Sequence, residues 1–168
     1  CLRVGEIGTW DINRGNTTDT DPNTTRDIIL TIEDLKVFYG RKEVVHGVTF
    51  DVAMAEVVAL VGESGSGKTT ISRCVGGLHK QWTGDLAFDG HELSKGSRSR
   101  SAEDRKRIQY IFQNPYLSLN PRLTIAQIVG RPMELFGIAK GRAARDRVVE
   151  LLDAVALGPT VLDLQTNR

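Results

Sequence analysis

Cysteine is scarce in this chain: there are two, Cys1 and Cys74. Two thiols cannot form the framework that staples small secreted domains, so a core must hold the fold and a reducing, cytosolic setting is expected. Cys74 reads as a small buried hydrophobe. Long apolar runs are missing as well. No stretch approaches the roughly 18 apolar residues of a membrane-spanning helix. The opening residues carry no charged n-region followed by an apolar h-region, so a signal peptide is not expected in them. Charge of one sign is also absent, because the net charge is +1, which gives no global drive toward nucleic acid. The chain opens on Cys1 rather than Met, so a fragment or a processed piece is expected. What remains is ordinary for one globular domain: 168 residues, 40% hydrophobic and 26% charged.

The most informative stretch is Gly62-Glu63-Ser64-Gly65-Ser66-Gly67-Lys68-Thr69-Thr70. It fits the phosphate-loop pattern G-x-x-x-x-G-K-[ST]. Glu56 to Val61 before it reads as a short buried strand, and Ile71 to Leu78 after it as a helix. Glycines at 62, 65 and 67 let the backbone curl until several N–H groups converge on one phosphate chain. A helix beginning near Gly67 adds its positive end. Lys68 can reach the β- and γ-phosphates, and the Thr69 hydroxyl can ligate Mg²⁺. The competing reading is a Gly/Ser turn followed by a chance Lys-Thr. The strand–loop–helix context favours a nucleoside triphosphate site.

Around the loop, residues 13–27 form a polar stretch that reads as a linker. Strands are expected over 28–37, 44–52 and 84–90, the last closing at an Asp89-Gly90 turn. Ile108 to Phe112 is strand-like. Lys95 to Arg107 holds six Lys/Arg against Glu103 and Asp104; it reads as a solvated helix face, and no aromatic interleaves it to suggest nucleic acid. Thr124 can cap a helix reaching about Phe136, with Pro132 expected to bend or divide it. Gly141 to Leu157 is the best amphipathic helix, with Val148, Leu151, Leu152 and Val155 on one stripe.

Two further residues bear on chemistry. Tyr39, in Phe38-Tyr39-Gly40, lies 29 residues before Lys68 at a strand end. Its ring either packs or stacks on a base. Gln113, 45 residues after Lys68, is either a polar loop residue or an amide reaching Mg²⁺ and the attacking water.

Together, Tyr39, the 62–69 loop and Gln113 resemble, in order, the aromatic loop, Walker A and Q-loop of an ABC transporter ATP-binding subunit. The segment Phe112-Gln113-Asn114-Pro115-Tyr116-Leu117-Ser118-Leu119-Asn120-Pro121-Arg122 looks like the oligopeptide/dipeptide-importer branch, and nickel importers share much of it. The resemblance spans 28–168. It implies an α/β fold of the P-loop NTPase type: an antiparallel β subdomain, a RecA-like core and a helical subdomain starting near 124. It implies that Tyr39 stacks on adenine, that Gly62 to Thr70 hold the phosphates of ATP, and that Thr69 and Gln113 meet Mg²⁺. Lys68 and Gln113 would then carry the catalytic roles within these residues. The implied partners are a second nucleotide-binding domain, two polytopic membrane subunits meeting Asn114 to Arg122, and indirectly a substrate-binding protein, with no nucleic acid. The implied location is the cytoplasmic face of a membrane, held peripherally.

Departures from the family pattern also shape expectation. An LSGGQ-type signature, a Walker B strand ending in Asp-Glu and a switch His are not found; Val161-Leu162-Asp163 lacks a following Glu, and the three His (46, 79, 91) come too early. These 168 residues alone are therefore expected to bind nucleotide weakly and hydrolyse it negligibly. Cys1-Leu2-Arg3-Val4 resembles the tail of a peptide-importer ATPase, so residues 1–12 are expected to end a preceding nucleotide-binding domain. Some members hold an iron–sulfur cluster in that tail; a cluster takes about four ligands, and Cys1 supplies one. Other readings weighed are a soluble ABC-type ATPase acting on nucleic acid or ribosomes, a small P-loop kinase, and a non-catalytic interaction fragment.

Overall fold

The computed structural model describes residues 26–114 and 118–165, together with the backbone of 12–14. The described residues fall into two compact units that divide between Arg105 and Lys106.

The first unit is built on a four-stranded antiparallel sheet. Its long strands are β2 (Ile28–Tyr39) and β3 (Lys42–Ala53), each 12 residues. With β5 (Trp82–Phe88) and β6 (His91–Glu92) they lie in the order β3-β2-β5-β6. The remaining elements of this unit are β1 (Ile12–Arg14), β4 (Val58–Leu60) and helix α1 (Lys68–Val75). A short helix α2 (Ala102–Arg107) runs across the division.

Strand β2 does not alternate cleanly, and the reason is local. The register steps from Ile32↔Phe50 to Leu35↔Val48, so one extra residue sits in β2. Asp34 absorbs it with a left-handed φ of 46°. The resulting bulge turns Ile32 and Leu35, three apart, to the same buried side. Gly84 on β5 is required opposite the bulge: a Cβ there would lie 2.4 Å from the Asp34 carbonyl oxygen. Asp89 and Gly90 take φ of 51° and 77° and pair Phe88 with His91 across a two-residue turn, as the Asp-Gly dipeptide predicts.

Two expectations fail here, the second in part. The strand into the phosphate loop is not buried: β4 pairs with β1, and Val57 is 83% exposed. Within β4, Val58 and Leu60 are half-buried and Ala59 is exposed, as befits a strand with one described neighbour. The basic run is a solvated helix face only in part: Arg105, Lys106 and Arg107 are exposed on α2. It is a 3-10 turn at Ser97–Ser99 followed by α2. Within it Arg100 is 5% exposed, and Lys95 stands 4.6 Å over the Trp82 ring while donating to the Trp82 carbonyl.

The second unit is helical: α3 (Ile125–Leu135), α4 (Gly141–Ala154) and a 3-10 turn at Pro159–Val161. Thr124 caps α3 as expected. Its hydroxyl accepts from the Gln127 N–H, and the Gln127 side chain accepts from the Thr124 N–H, a full capping box. The Ile125 and Ala126 N–H groups donate to the carbonyls of Leu164 and Leu162, so the donors that a helix start leaves open find partners. Pro132 neither ends nor divides the helix, which runs on to Leu135. Met133, Ala144, Val148, Leu152 and Leu162 form the core of this unit. The buried stripe of α4 is thus Ala144, Val148 and Leu152, whereas Leu151 and Val155 stay exposed. Ile108 to Phe112 is not a strand. It has strand composition but no strand partner among the described residues, and Tyr110 and Phe112 meet edge to face at 4.9 Å.

Of the expected domain boundaries, 12/13 falls within β1, and the 27/28 boundary coincides with the start of β2. Cys1, Pro115, Tyr116 and Leu117 lie outside the described residues.

Candidate functional site

The site starts from backbone geometry. Gly65 and Gly67 take φ of 84° and 99°, a left-handed region that penalises any side chain. These two reversals carry the chain from β4 to the first turn of α1 around a concave run of backbone. At Gly62 a Cβ would come within 3.0 Å of the Ser66 hydroxyl, so the loop closes tightly there. Gly67 is the N-cap of α1, with no side-chain cap, and its carbonyl accepts from the Ile71 N–H. The first turn contains no acidic residue. Nothing local competes with an anion for the free N–H groups and the positive end of the helix dipole.

Lys68 folds over this concavity. Its ammonium donates to the carbonyls of Gly62 at 2.7 Å and Glu63 at 2.6 Å, and to the Ser66 hydroxyl at 3.2 Å. The charge is therefore held over the loop rather than in solvent. Glu63, Ser64, Gly65 and Thr69 are exposed, and Ser66, Gly67, Lys68 and Thr70 are half-buried. Thr69 is the second residue of α1 and is exposed. Beneath the loop the helix is fixed by Ile71 and Cys74, both fully buried. Burial pushes the Cys74 thiol up to about 11, so it is an uncharged packing group, as expected.

The far end of α1 is tied down by Arg100. Its guanidinium donates to the carbonyls of Val75, Cys74 and Ser94. Burial lowers its pKa, partly opposed by Asp104. Asp104 is also buried, and its carboxyl lies below the usual carboxylate range through its bond to Ser101 and then to His91. Neither Arg100 nor Asp104 stands out in sequence from its charged neighbours. Their burial follows from the 3-10 turn at Ser97–Ser99, which the sequence does not announce.

Tyr39 is in the same unit, at the end of β2, and is 46% exposed. Its ring meets that of His79, with centroids 4.6 Å apart. Gln113 belongs to the second unit. It is exposed, in an irregular segment just before the undescribed residues 115–117. Beyond these, the Asn120 side chain accepts from the Arg122 N–H. A groove of about 730 Å³ lies over α3 and α4, lined among others by Thr124, Gly130, Arg131, Arg145 and Asp163. None of the residues singled out in sequence for nucleotide chemistry lines it.

Among the described residues no group of three or more His, Cys, Asp or Glu could hold a metal. Cys74 is the free cysteine among the described residues and is buried; Cys1, on which the iron–sulfur reading rests, lies outside them.

The sheet, the glycine-turned loop and the helix that follows define a nucleotide-binding domain of the phosphate-loop class. The family described as ABC transporter matches residues 45–167, and the chain belongs to that family. A Brucella ovis protein provisionally named as a peptide import ATP-binding protein is 37% identical over 143 residues, covering 83% of this chain and 45% of its own. The oligopeptide transport ATP-binding protein OppF of Lactococcus lactis is 36% identical over 146 residues, covering 80% and 46%. A solved structure of the ATP binding subunit of an ABC transporter superposes with a TM-score of 0.66 at 28% identity, over 82% of this chain and 54% of that one. The chain thus spans a little under half the length of the curated relatives it matches. No described helix is long and apolar enough to cross a membrane.

Proposed function

We propose that these residues form the ATP-binding part of an ATPase that powers solute import, with oligopeptides or dipeptides as the transported class. The observation that carries the reading is the Lys68 ammonium held at 2.6–2.7 Å over the carbonyls of Gly62 and Glu63, at the unblocked start of α1. A triphosphate entering the loop exchanges those carbonyl contacts for charge-assisted bonds to its β- and γ-oxygens, which are shorter and stronger. The backbone N–H groups from Gly62 to Thr70 cradle the phosphates, and Tyr39 offers a ring face to adenine. Mg²⁺ supplies charge neutralisation between the β- and γ-phosphates; Thr69 and Gln113 are the residues that would hold it.

Gln113 has a second role in this reading. A contact made only with nucleotide bound makes the position of the following loop, Asn114 to Arg122, follow nucleotide state. That loop is the surface offered to two polytopic membrane subunits, on the cytoplasmic face of the membrane. A second nucleotide-binding domain completes the ATP site, and a substrate-binding protein delivers solute from the far side. In this reading residues 28–168 belong to the nucleotide-binding domain. Without a signature, a Walker B carboxylate pair and a switch His, the isolated 168 residues bind nucleotide weakly and do not turn it over. The peptide class is supported by the Phe112 to Arg122 segment and by the names of the relatives.

Co-purification tests the assembly. The natural protein should be retained by two polytopic membrane subunits, and its ATP hydrolysis should rise with binding protein and peptide. Retention by ribosomes or nucleic acid instead would overturn the import reading in favour of a soluble ATPase.

A further inference from the structure

The segment that leaves α1 also grips the aromatic loop. The Leu78 and His79 N–H groups donate to the Arg73 carbonyl, so the exit is tied to the last turn of the helix. The His79 ring nitrogen Nε2 then donates to the Phe38 carbonyl at 2.8 Å. Two residues on, the Gln81 carbonyl accepts from the Phe38 N–H at 2.8 Å, and the Gln81 side chain accepts from the Gly40 N–H at 3.2 Å. Both neighbours of Tyr39 are therefore held by residues 79–81, while the Tyr39 ring rests on the His79 ring at 4.6 Å with a tilt of 41°. Tyr39 keeps an exposed side all the same.

We infer that His79 is a positioning residue for base recognition: it sets the Tyr39 ring at a fixed place relative to the phosphate loop. The inference rests on the reading of Tyr39 as the platform for the nucleobase. The physical reason is covalent continuity. The phosphate loop runs into α1, the turn that leaves α1 after Val75 reaches His79 and is bonded back to the Arg73 carbonyl, and His79 holds Tyr39 by ring contact and by the backbone bond beside it. A platform held in this way loses little freedom when a base arrives, which is where preorganisation raises affinity. The imidazole is suited to the task because one side chain supplies a flat face for the tyrosine and an N–H for the Phe38 carbonyl.

The test separates base from phosphate. Affinities of the natural protein for MgATP and for inorganic tripolyphosphate with Mg²⁺ are measured by calorimetry, in wild type, His79→Ala, His79→Gln, Tyr39→Ala and the His79→Ala/Tyr39→Ala pair. His79→Ala should weaken MgATP about three- to tenfold, the range of one aromatic contact, and leave tripolyphosphate unchanged. Added to Tyr39→Ala, it should cost nothing more. His79→Gln keeps an N–H for Phe38 but removes the ring, so it should lose the preference for ATP while folding normally; it carries the test if the alanine variant fails to fold. Parallel loss of both ligands, additive losses in the pair, or unchanged preference in both His79 variants overturns the inference. If Tyr39→Ala itself keeps the preference for ATP, the base-platform reading falls and takes this inference with it. If Tyr39→Ala loses the preference and the His79 variants keep it, this inference falls alone.

Discussion

The guanidinium of Arg100 donates to the carbonyl oxygen of Val75 at 2.5 Å and so closes the C-terminal end of the helix whose N-terminal end carries the phosphate loop. A helix end leaves carbonyls without intrahelical partners. Here one buried cation satisfies Val75 and adds a second bond to the Cys74 carbonyl, which also accepts from the Gly77 N–H. Replacing it by Arg100→Leu removes the guanidinium bond to Val75 and should cost about 1–3 kcal/mol. Chemical denaturation reads the loss, and a midpoint equal to wild type would contradict this account of how α1 is anchored.

Gly84 faces the bulge of β2 with φ of 93°, and a Cβ would meet the carbonyl oxygens of Asp34 and Glu33 at 2.4 and 2.5 Å. Both contacts are backbone and neither can swing away. Gly84→Ala should therefore destabilise by about 3 kcal/mol or more, the sum of backbone strain and overpacking. At Gly90 φ is 77° but nothing lies within 4 Å, so Gly90→Ala should cost only the conformational part, about 1 kcal/mol. Equal losses in the two variants would show that the close approach at Gly84 is not what matters.

Asp104 gives a pH signature. Its carboxyl is held below the usual range by Ser101 and His91, so the folded protein binds that proton more weakly than the unfolded chain does. The contribution is present above the ordinary carboxylate value of about 4 and is lost as pH falls through the depressed folded value. The stability gap between wild type and Asp104→Asn should be constant from neutral pH down to about 5 and should shrink below about 4. A gap independent of pH over that range would rule out the linkage.

Thr124 and Gln127 cap each other at the start of α3. Thr124→Ala should cost about 1 kcal/mol, and Thr124→Ser much less, because the serine hydroxyl restores the bond. Thermal unfolding of the three proteins checks the order.

Much of this was legible in the sequence where the signal was local. The phosphate loop, the Asp89-Gly90 turn and the Thr124 cap each depend on residues within a few positions of one another. The misses depend on distant partners. His79 lies 41 positions from the Phe38 carbonyl it binds, and only the pairing of Val37 with Trp82 would have brought the two segments together. Arg100 is one of six cations in a basic run, and its burial is set by a 3-10 turn with no sharp signal. Ile108 to Phe112 has strand composition, yet composition supplies no neighbouring strand. On α4 the sequence stripe Val148, Leu151, Leu152 and Val155 shares only Val148 and Leu152 with the buried line, which also takes in Ala144 and packs with Met133 and Leu162.

The central claim is that the loop from Gly62 to Thr70 holds a triphosphate through Lys68. Its most direct test is calorimetric binding of MgATP to the natural protein and to Lys68→Ala, with unfolding temperatures recorded alongside. The account predicts saturable binding that weakens about a hundredfold in Lys68→Ala, the loss of a charge-assisted contact of about 2–3 kcal/mol, with the unfolding temperature unchanged. Equal affinity in the two proteins would contradict it.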